Sequence, residues 1–257
     1  MASLGMPDVG FLLIDGVDLL GKQVQSLSVE VSETQEETTG SGDNAETWAS
    51  VGVSAGSITH EGLLDDTATV GNHALLKSPG AERVIAVAIG GNTIGLDVVL
   101  GEAPLQSKYN VLAALKSLSR VQVDYTTNKA IRLGGKILHA LGAESGDGDT
   151  ESTPVDATAD GAASSDGALG IVQLTALALG GFTSIDITIR DSSDDISYAN
   201  LLSFTAITAT NASQGVEVTG TVERYLAAEW VFVGSGSSES ATFMVGLARL
   251  GIPAATP

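Results

Sequence analysis

Residues 182–191, FTSIDITIRD, put Ile185, Ile187 and Ile189 on one side of an extended chain and Ser184, Asp186, Thr188 and Arg190 on the other. This two-residue period is the strongest constraint on the fold. Side chains alternate faces only in a strand, and an apolar row of this kind needs a second layer to cover it. The same alternation runs through LSVEVS, where Leu27, Val29 and Val31 alternate with Ser28, Glu30 and Ser32. DSSDD (191–195) stops the first of these strands with turn-forming side chains. NLLSFTAITAT, GVEVTGTV, RYLAAEWVFVG and ESATFMVGLARL follow, and GSGSSES between the last two reads as a hairpin loop. Short strands at this spacing with polar turns predict a sandwich or jelly roll.

The first half reads as mostly β with one helix. RVIAVAIGGNTIGLDVVLG predicts two apolar strands around Gly-Gly-Asn-Thr. RVQVDYTTNKAIRLGGKILHAL predicts a hairpin: Val121, Val123 and Tyr125 share a face, residues 126–129 turn, and the chain returns through Ile131. Pro104 suits a first helical turn, and Leu105, Tyr109, Leu112 and Leu115 recur near helical spacing, with Lys108 and Lys116 off the stripe. That stripe is expected to pack a helix against the sheet.

Charge divides the chain. No Lys or Arg lies between Lys22 and Lys77, where there are nine acids, and none lies between Lys136 and Arg190. The second gap holds GAESGDGDTESTPVDATADGAASSDGALG (142–170), whose Gly, Ser, Thr, Ala and Asp cannot pack a core. The expected organisation is therefore a β domain over 1–141, an acidic linker over 142–167 and a β-sandwich domain over 168–257.

Several function classes are excluded or unsupported. The absence of cysteine removes disulfides, thiolate metal sites, iron–sulfur clusters and cysteine nucleophiles. A net charge of −19 opposes sequence-specific DNA binding, which needs cations against phosphate. His60, His73 and His139 lie far apart in sequence, and there is no Gly-x-Ser-x-Gly elbow. The segment from Asp147 resembles the start of a calcium loop, but Ser152 and Thr158 stand where Gly and Glu are needed. GGNTIG lacks dinucleotide-loop spacing, and GSGDNAE lacks the phosphate-loop lysine. Trp48, Tyr225 and Trp230 read as core anchors before they read as a sugar platform. No catalytic, cofactor or metal site is expected, and no enzyme. MASLGMPDVGFLLIDG has no basic n-region, and no apolar run reaches membrane-spanning length, so synthesis in a cytoplasm is expected.

What stands out instead is SVEVSETQEETTGSGDNAETWASVGV (28–53), two strand-like ends around a long acidic segment at about 32–47 without one base. The run around it, SLSVEVSETQEE…ETWASVGVSAGSITHEGLLDD, with IRLGGKILHALGAESGDGDTESTPVDATADG, ALGIVQLTALALGGFTSIDITIRDSSDDISYANLLSFTAIT and VTGTVERYLAAEWVFVGSGSSESATFMVGLAR, resembles the major tail protein, or tail tube subunit, of long-tailed bacteriophages infecting actinobacteria. The resemblance covers most of the chain and is one of overall pattern rather than of a catalytic motif.

The resemblance implies a β-sandwich or barrel flanked by one helix, plus the C-terminal sandwich. It implies six copies in a ring, alternatively three with pseudo-sixfold symmetry, stacked into a tube that conducts double-stranded DNA without specific binding. Partners would be the chain itself and other tail proteins (tape measure, tail terminator, baseplate or tip), in a virion assembled in the host cytoplasm. The long loop, with Glu33, Glu36, Glu37, Asp43, Glu46 and Trp48, would be an inter-subunit arm. Glu30, Asp97 and Asp124, on polar faces of expected strands, would be lumen acids that repel phosphate. Six copies would carry on the order of −110. The C-terminal domain would decorate the exterior and touch host glycans weakly. The rival reading is a two-domain carbohydrate-binding adhesin, which would need export and more exposed aromatics than a chain 4% aromatic provides.

Overall fold

The computed structural model describes residues 9–20, 24–37, 48–68, 70–113, 118–129, 131–156 and 163–250, with 33–37 and 48–54 as backbone. The fold is mainly β. Its strands are β1 (Val9–Ile14), β2 (Val17–Asp18), β3 (Val24–Glu37), β4 (Trp48–Leu63), β5 (Ile85–Ile89), β6 (Asp97–Gly101), β7 (Leu105–Leu112), β8 (Arg120–Thr126) and β9 (Ile131–Glu144). They continue as β10 (Gly148–Asp149), β11 (Val155–Asp156), β12 (Ala168–Ala178), β13 (Ser184–Ser192), β14 (Ala199–Ser203), β15 (Ala212–Val218), β16 (Tyr225–Val233) and β17 (Ser240–Arg249). One five-residue helix, α1 (Asn72–Leu76), lies between β4 and β5.

An eight-stranded antiparallel sheet, ordered β15-β12-β17-β9-β6-β5-β1-β2, runs through both halves of the chain. A four-stranded sheet, β3-β4-β8-β7, and a second sheet, β10-β16-β13-β14 with β11 also on β16, flank it. Period-two alternation sorts the side chains among three apolar layers. Phe11, Leu13, Ala86, Ala88, Val98, Leu100, Leu169, Ile171, Met244 and Ala248 fill one face of the central sheet. Leu12, Ile14, Ile85, Val87 and Val99, one residue out of phase, pack with Ile58, Val121, Val123 and Tyr125 of the four-stranded sheet. Val172, Leu174, Phe243, Val245 and Leu247 pack with Ile185, Ile187, Ile189, Trp230 and Phe232 of the other flank. At Gly170 a Cβ would come within 2.8 Å of Leu202, so glycine lets that flank lie close.

The central sheet curls, and Asp15–Gly16, both at positive φ, make the tight β1–β2 turn that meets β12. Asp15 then accepts the Val84 amide at 2.9 Å and pairs with Arg83 at 2.8 Å. Arg83 also donates to Gln106 of β7 and to the Leu75 carbonyl of α1, tying the four-stranded sheet to the central one.

Four sequence expectations are corrected. Residues 105–112 form strand β7, not a helix: the register shift between Gln106 and Lys108 changes which parity faces the core, so apolar residues taken from both faces mimic a helical stripe. The pair 120–126 and 131–144 is not a hairpin. β8 joins β4 and β7, while β9 joins β6 and β17 in the next layer. The last two strands likewise lie in different sheets, β16 on β13 and β17 on β12 and β9. Finally, the segment expected as linker is partly strand. β9 extends to Glu144, and β10 and β11 pair with β16. Gly, Asp and Thr there serve turns between short pairings; Asp147, for example, accepts the Phe232 amide at 2.7 Å.

Candidate assembly interface

The four-stranded sheet has one face in the core and one in solvent. Leu27, Val29, Val31, Ile58, Tyr109, Val121, Val123 and Tyr125 face inward. The cross-strand register places Ser28, Thr59, Asp124 and Lys108 in one row of the outer face, and Glu30, Ser57, Thr126 and Leu105 in the next. Ser26, Glu61, Gln122 and Asn110 form a third. This face is rich in hydroxyls and nearly balanced in charge. Lys108 lies 3.3 Å from Asp124 and Arg120 lies 3.0 Å from Glu61, leaving Glu30 as the acid without an ion-pair partner in this set.

Two of the three acids singled out in the sequence, Glu30 and Asp124, thus share a face. Asp97 does not: it sits on β6 of the central sheet, 2.7 Å from Lys136. The sequence shows the carboxylates but not these partners, which come from other strands, Lys108 from the adjacent β7 and Lys136 from β9.

β3 and β4 pair along their whole length, from Val24↔Gly62 to Glu37↔Trp48. β8 accompanies β4 only from Ser57 to Leu63. Beyond that point Ser32–Glu37 and Trp48–Ala55 form a two-stranded ribbon that continues past the sheet by roughly 20 Å. The expected loop is therefore shorter than read, because paired strand occupies its first residues. Glu33, Glu36, Glu37 and Trp48 lie on the ribbon backbone, while Asp43 and Glu46 lie outside the described residues. At the ribbon's root Thr127 clamps Gly56. Its hydroxyl donates to the Gly56 carbonyl at 2.6 Å and accepts from the Gly56 amide, and its own amide donates to the same carbonyl at 2.9 Å.

Among the described residues, both outer edges of this sheet are open. β3 is a terminal strand, and β7 is terminal beyond its short bridge at Glu82↔Leu105. Unpaired edge strands are templates for pairing with another chain. At the end away from the ribbon, the β7–β8 hairpin exposes Val111 (43%), Leu112 (39%) and Leu118 (70%), a feature the helical reading of this stretch had hidden.

The histidines do not converge. His60 is buried against Tyr125, and among the described residues neither its ring nitrogens nor the Tyr125 hydroxyl has a hydrogen-bond partner. Burial lowers His60 to about 4, a nearby Asp124 opposing, and burial raises Tyr125 well above its usual value. His73 meets the Tyr109 hydroxyl at 2.5 Å. His139 stacks on Phe243 and reaches Glu144 at 3.2 Å; burial lowers its pKa against the pull of that carboxylate. Among the described residues no three His, Asp or Glu side chains are placed to hold a metal ion. Trp230 is buried in the core, while Tyr225 is half-buried under Arg224. No described helix is long and apolar enough to cross a membrane.

No family model matches the chain, and no curated relative does. Its structural neighbours are virion structural proteins. The tail of an empty gene transfer agent particle, refined with C6 symmetry, is 15% identical, with 51% of this chain and 98% of that one covered and a TM-score of 0.39. A chain of the native gene transfer agent virion is 16% identical, covering 51% and 97%, with a TM-score of 0.38. The SPP1 Dit protein, of the hub adsorption apparatus in phages infecting Gram-positive bacteria, is 12% identical, covering 93% and 98%, with a TM-score of 0.34. At TM-scores this low the likenesses carry no argument, and the functional reading rests on the chain's own geometry.

Proposed function

We propose that this chain is a structural tail tube subunit that assembles with copies of itself. The observation that carries the reading is the β3–β4 ribbon, which leaves the sheet with no third strand beside it among the described residues. A two-stranded ribbon alone in water is marginal at best, so one that projects this far is stabilised by a partner surface. The two open edges supply a second mode of contact. The β3 edge of one copy pairs with the β7 edge of the next, and the junction repeats around a closed ring of six copies, or of three with pseudo-sixfold symmetry. The parts expected as separate domains, 1–141 and 168–257, share the eight-stranded sheet, so in this reading the four-stranded sheet forms the tube wall and the β10-β16-β13-β14 sheet lies outside it.

In this arrangement the outer face of the four-stranded sheet lines the lumen. Hydroxyls with a residual acid at Glu30 offer phosphate no cation beyond those already paired, so DNA passes without counterion-releasing contacts. The chain acts without catalysis, and its other partners are the tail proteins that start, measure and end the tube.

The test is negative-stain electron microscopy of the purified chain with mass photometry on the same sample. Rings or hollow tubes are expected, and their symmetry decides between six copies and three. Strict monomers across the accessible concentration range overturn the reading, and monomers that also bind a glycan array replace it with the adhesin.

A further inference from the structure

We propose that Asn92, Asp147, Thr150 and Gln214 cap strand edges against pairing with a second copy of the chain, and so steer self-association to the edges left uncapped. The steering rests on the tube reading; the capping does not.

β16 has β13 along one whole side, from Ser184↔Val233 to Ser192↔Tyr225. On its other side the described strands are two short ones, β10 opposite Glu229 and Trp230 and β11 opposite Tyr225 and Leu226. Side chains fill the gaps. The Ala228 amide donates to Thr150 Oγ1 at 2.9 Å, while the Thr150 amide donates to the Ala228 carbonyl at 2.9 Å. The Phe232 amide donates to Asp147 Oδ1 at 2.7 Å. The central sheet has the same device. β6 leaves β9 at Asp97↔Lys136. Beyond that point Asn92 takes its place at Leu141, accepting the amide at 2.7 Å and donating to the carbonyl at 2.8 Å. Gln214, on the terminal strand β15, holds Thr205, two residues past the terminal strand β14, in the same reciprocal way, with both bonds at 2.7 Å.

A side chain bonded to the N–H and C=O of one backbone residue presents what a neighbouring strand would present. It satisfies the edge without offering a new edge of its own, so pairing stops there. The caps on β9 and β16 sit where they are most needed. Leu141 lies in ILHALGA (137–143), which has no Asp, Glu, Lys, Arg or Pro. Ala228 and Phe232 lie in AAEWVFV (227–233), which has one acid. Apolar, strand-forming runs of this length and low charge stack on their own kind when an edge is free. Such pairing joins like segments, so the partner excluded is a second copy of this chain. β3 and β7 are different. Their sequences, VQSLSVEVSETQEE and LQSKYNVL, carry charge or hydroxyls at close intervals. Among the described residues no side chain takes an amide on the free side of β3 or, past Gln106, of β7. The molecule thus has edges of two kinds: apolar ones that are capped, and polar ones that are open.

The test compares wild type with Asn92→Ala, Asp147→Ala, their double variant and Asp147→Asn, which keeps the acceptor oxygen and removes the charge. Sedimentation velocity and electron microscopy read association, and thermal melting reads the fold. Gln173→Leu is the control for lost stability, because its site is fully buried and opens no edge. The double variant is expected to form irregular polymers at a concentration several-fold below the wild type's own assembly threshold, with Asp147→Asn behaving as wild type. If the double variant does not fold, the two single alanine variants are read in its place. A folded variant that associates no more than wild type overturns the proposal. Equal association from Gln173→Leu at a matched melting temperature overturns it too, since lost stability then accounts for the effect. Asp147→Asn that polymerises like Asp147→Ala assigns the effect to charge and overturns the cap at β16. A wild type that forms neither rings nor tubes removes the tube reading and the steering with it, and the caps then stand or fall on irregular polymers of the alanine variants alone.

Discussion

The Gly16 amide lies 2.6 Å from Gln173 Oε1, joining residues 157 positions apart. Gln173 is fully buried, and its amide nitrogen donates to the Val84 carbonyl at 2.8 Å. One side chain thereby holds the β1–β2 turn against β12 and fixes the curl of the central sheet. Gln173→Leu leaves the Gly16 amide buried without this acceptor, and is expected to cost about 2–3 kcal/mol. Urea unfolding measures it, and a loss below about 0.5 kcal/mol would show that the curl does not depend on this contact.

His60 and Tyr125 pull in the other direction. They stack with ring centroids 5.8 Å apart, and among the described residues neither has its polar atoms satisfied. Removing an unpartnered hydroxyl is neutral to stabilising, so Tyr125→Phe is expected to gain up to about 1 kcal/mol.

The same burial makes the protein sensitive to acid. His60 titrates near 6.5 when unfolded and at about 4 when folded, so the unfolded state binds its proton first. The stability tied to this group is present above pH 6.5 and is lost as pH falls from 6.5 towards 4, by on the order of 3 kcal/mol. His139, also lowered by burial, acts with the same sign. Urea midpoints from pH 7.5 to 4.5 should fall less steeply for His60→Leu than for wild type; parallel curves would rule out His60 as a source of the acid sensitivity.

Thr127 links stability to assembly. Its hydroxyl fixes Gly56 where the ribbon leaves the sheet. Thr127→Val is expected to lose about 1 kcal/mol of fold stability. It should also raise the concentration needed for tube formation several-fold, because an unanchored ribbon must be ordered on contact. Thr127→Ser keeps the hydroxyl and should restore assembly. Light scattering against concentration makes the comparison, and equal thresholds for Val and wild type would separate the clamp from assembly.

How far the chain could be read in advance follows from what periodicity encodes. Alternation at Ile185, Ile187 and Ile189, and at Val121, Val123 and Tyr125, gave strand and buried face correctly. It carries no information about partner. Residues 120–126 and 131–144 look like a hairpin because consecutive strands usually pair, yet the turn at Thr127 passes the chain from one layer to the next. The bulge between Gln106 and Lys108 shifts the face by one residue and leaves a helix-like spacing behind. The acidic segment was visible as a charge pattern, but the paired ribbon within it was not. Glu, Gln and Thr over 33–37 have no apolar alternation, and among the described strands β4 is the one that pairs with them. The ion pairs that quiet Asp97 and Asp124 join residues that only the folded sheets bring together.

That quieting yields a test of the lumen. On the outer face of the four-stranded sheet, Glu30, Glu61 and Asp124 meet Lys108 and Arg120, so three acids and two bases leave a charge of −1 per copy in this set. Glu30 is exposed and carries that remainder. Glu30→Lys changes it to +1 without touching the core, and a ring multiplies the change by its copy number. If this face lines the channel, tubes of the variant assembled with short duplex DNA should retain it on sedimentation at low salt and release it steeply as salt rises, because lysine–phosphate contacts release counterions. Wild-type tubes should retain none. Variant tubes that hold no more DNA than wild type would place this face away from the channel, and the acids that repel the genome would then have to be sought on another sheet.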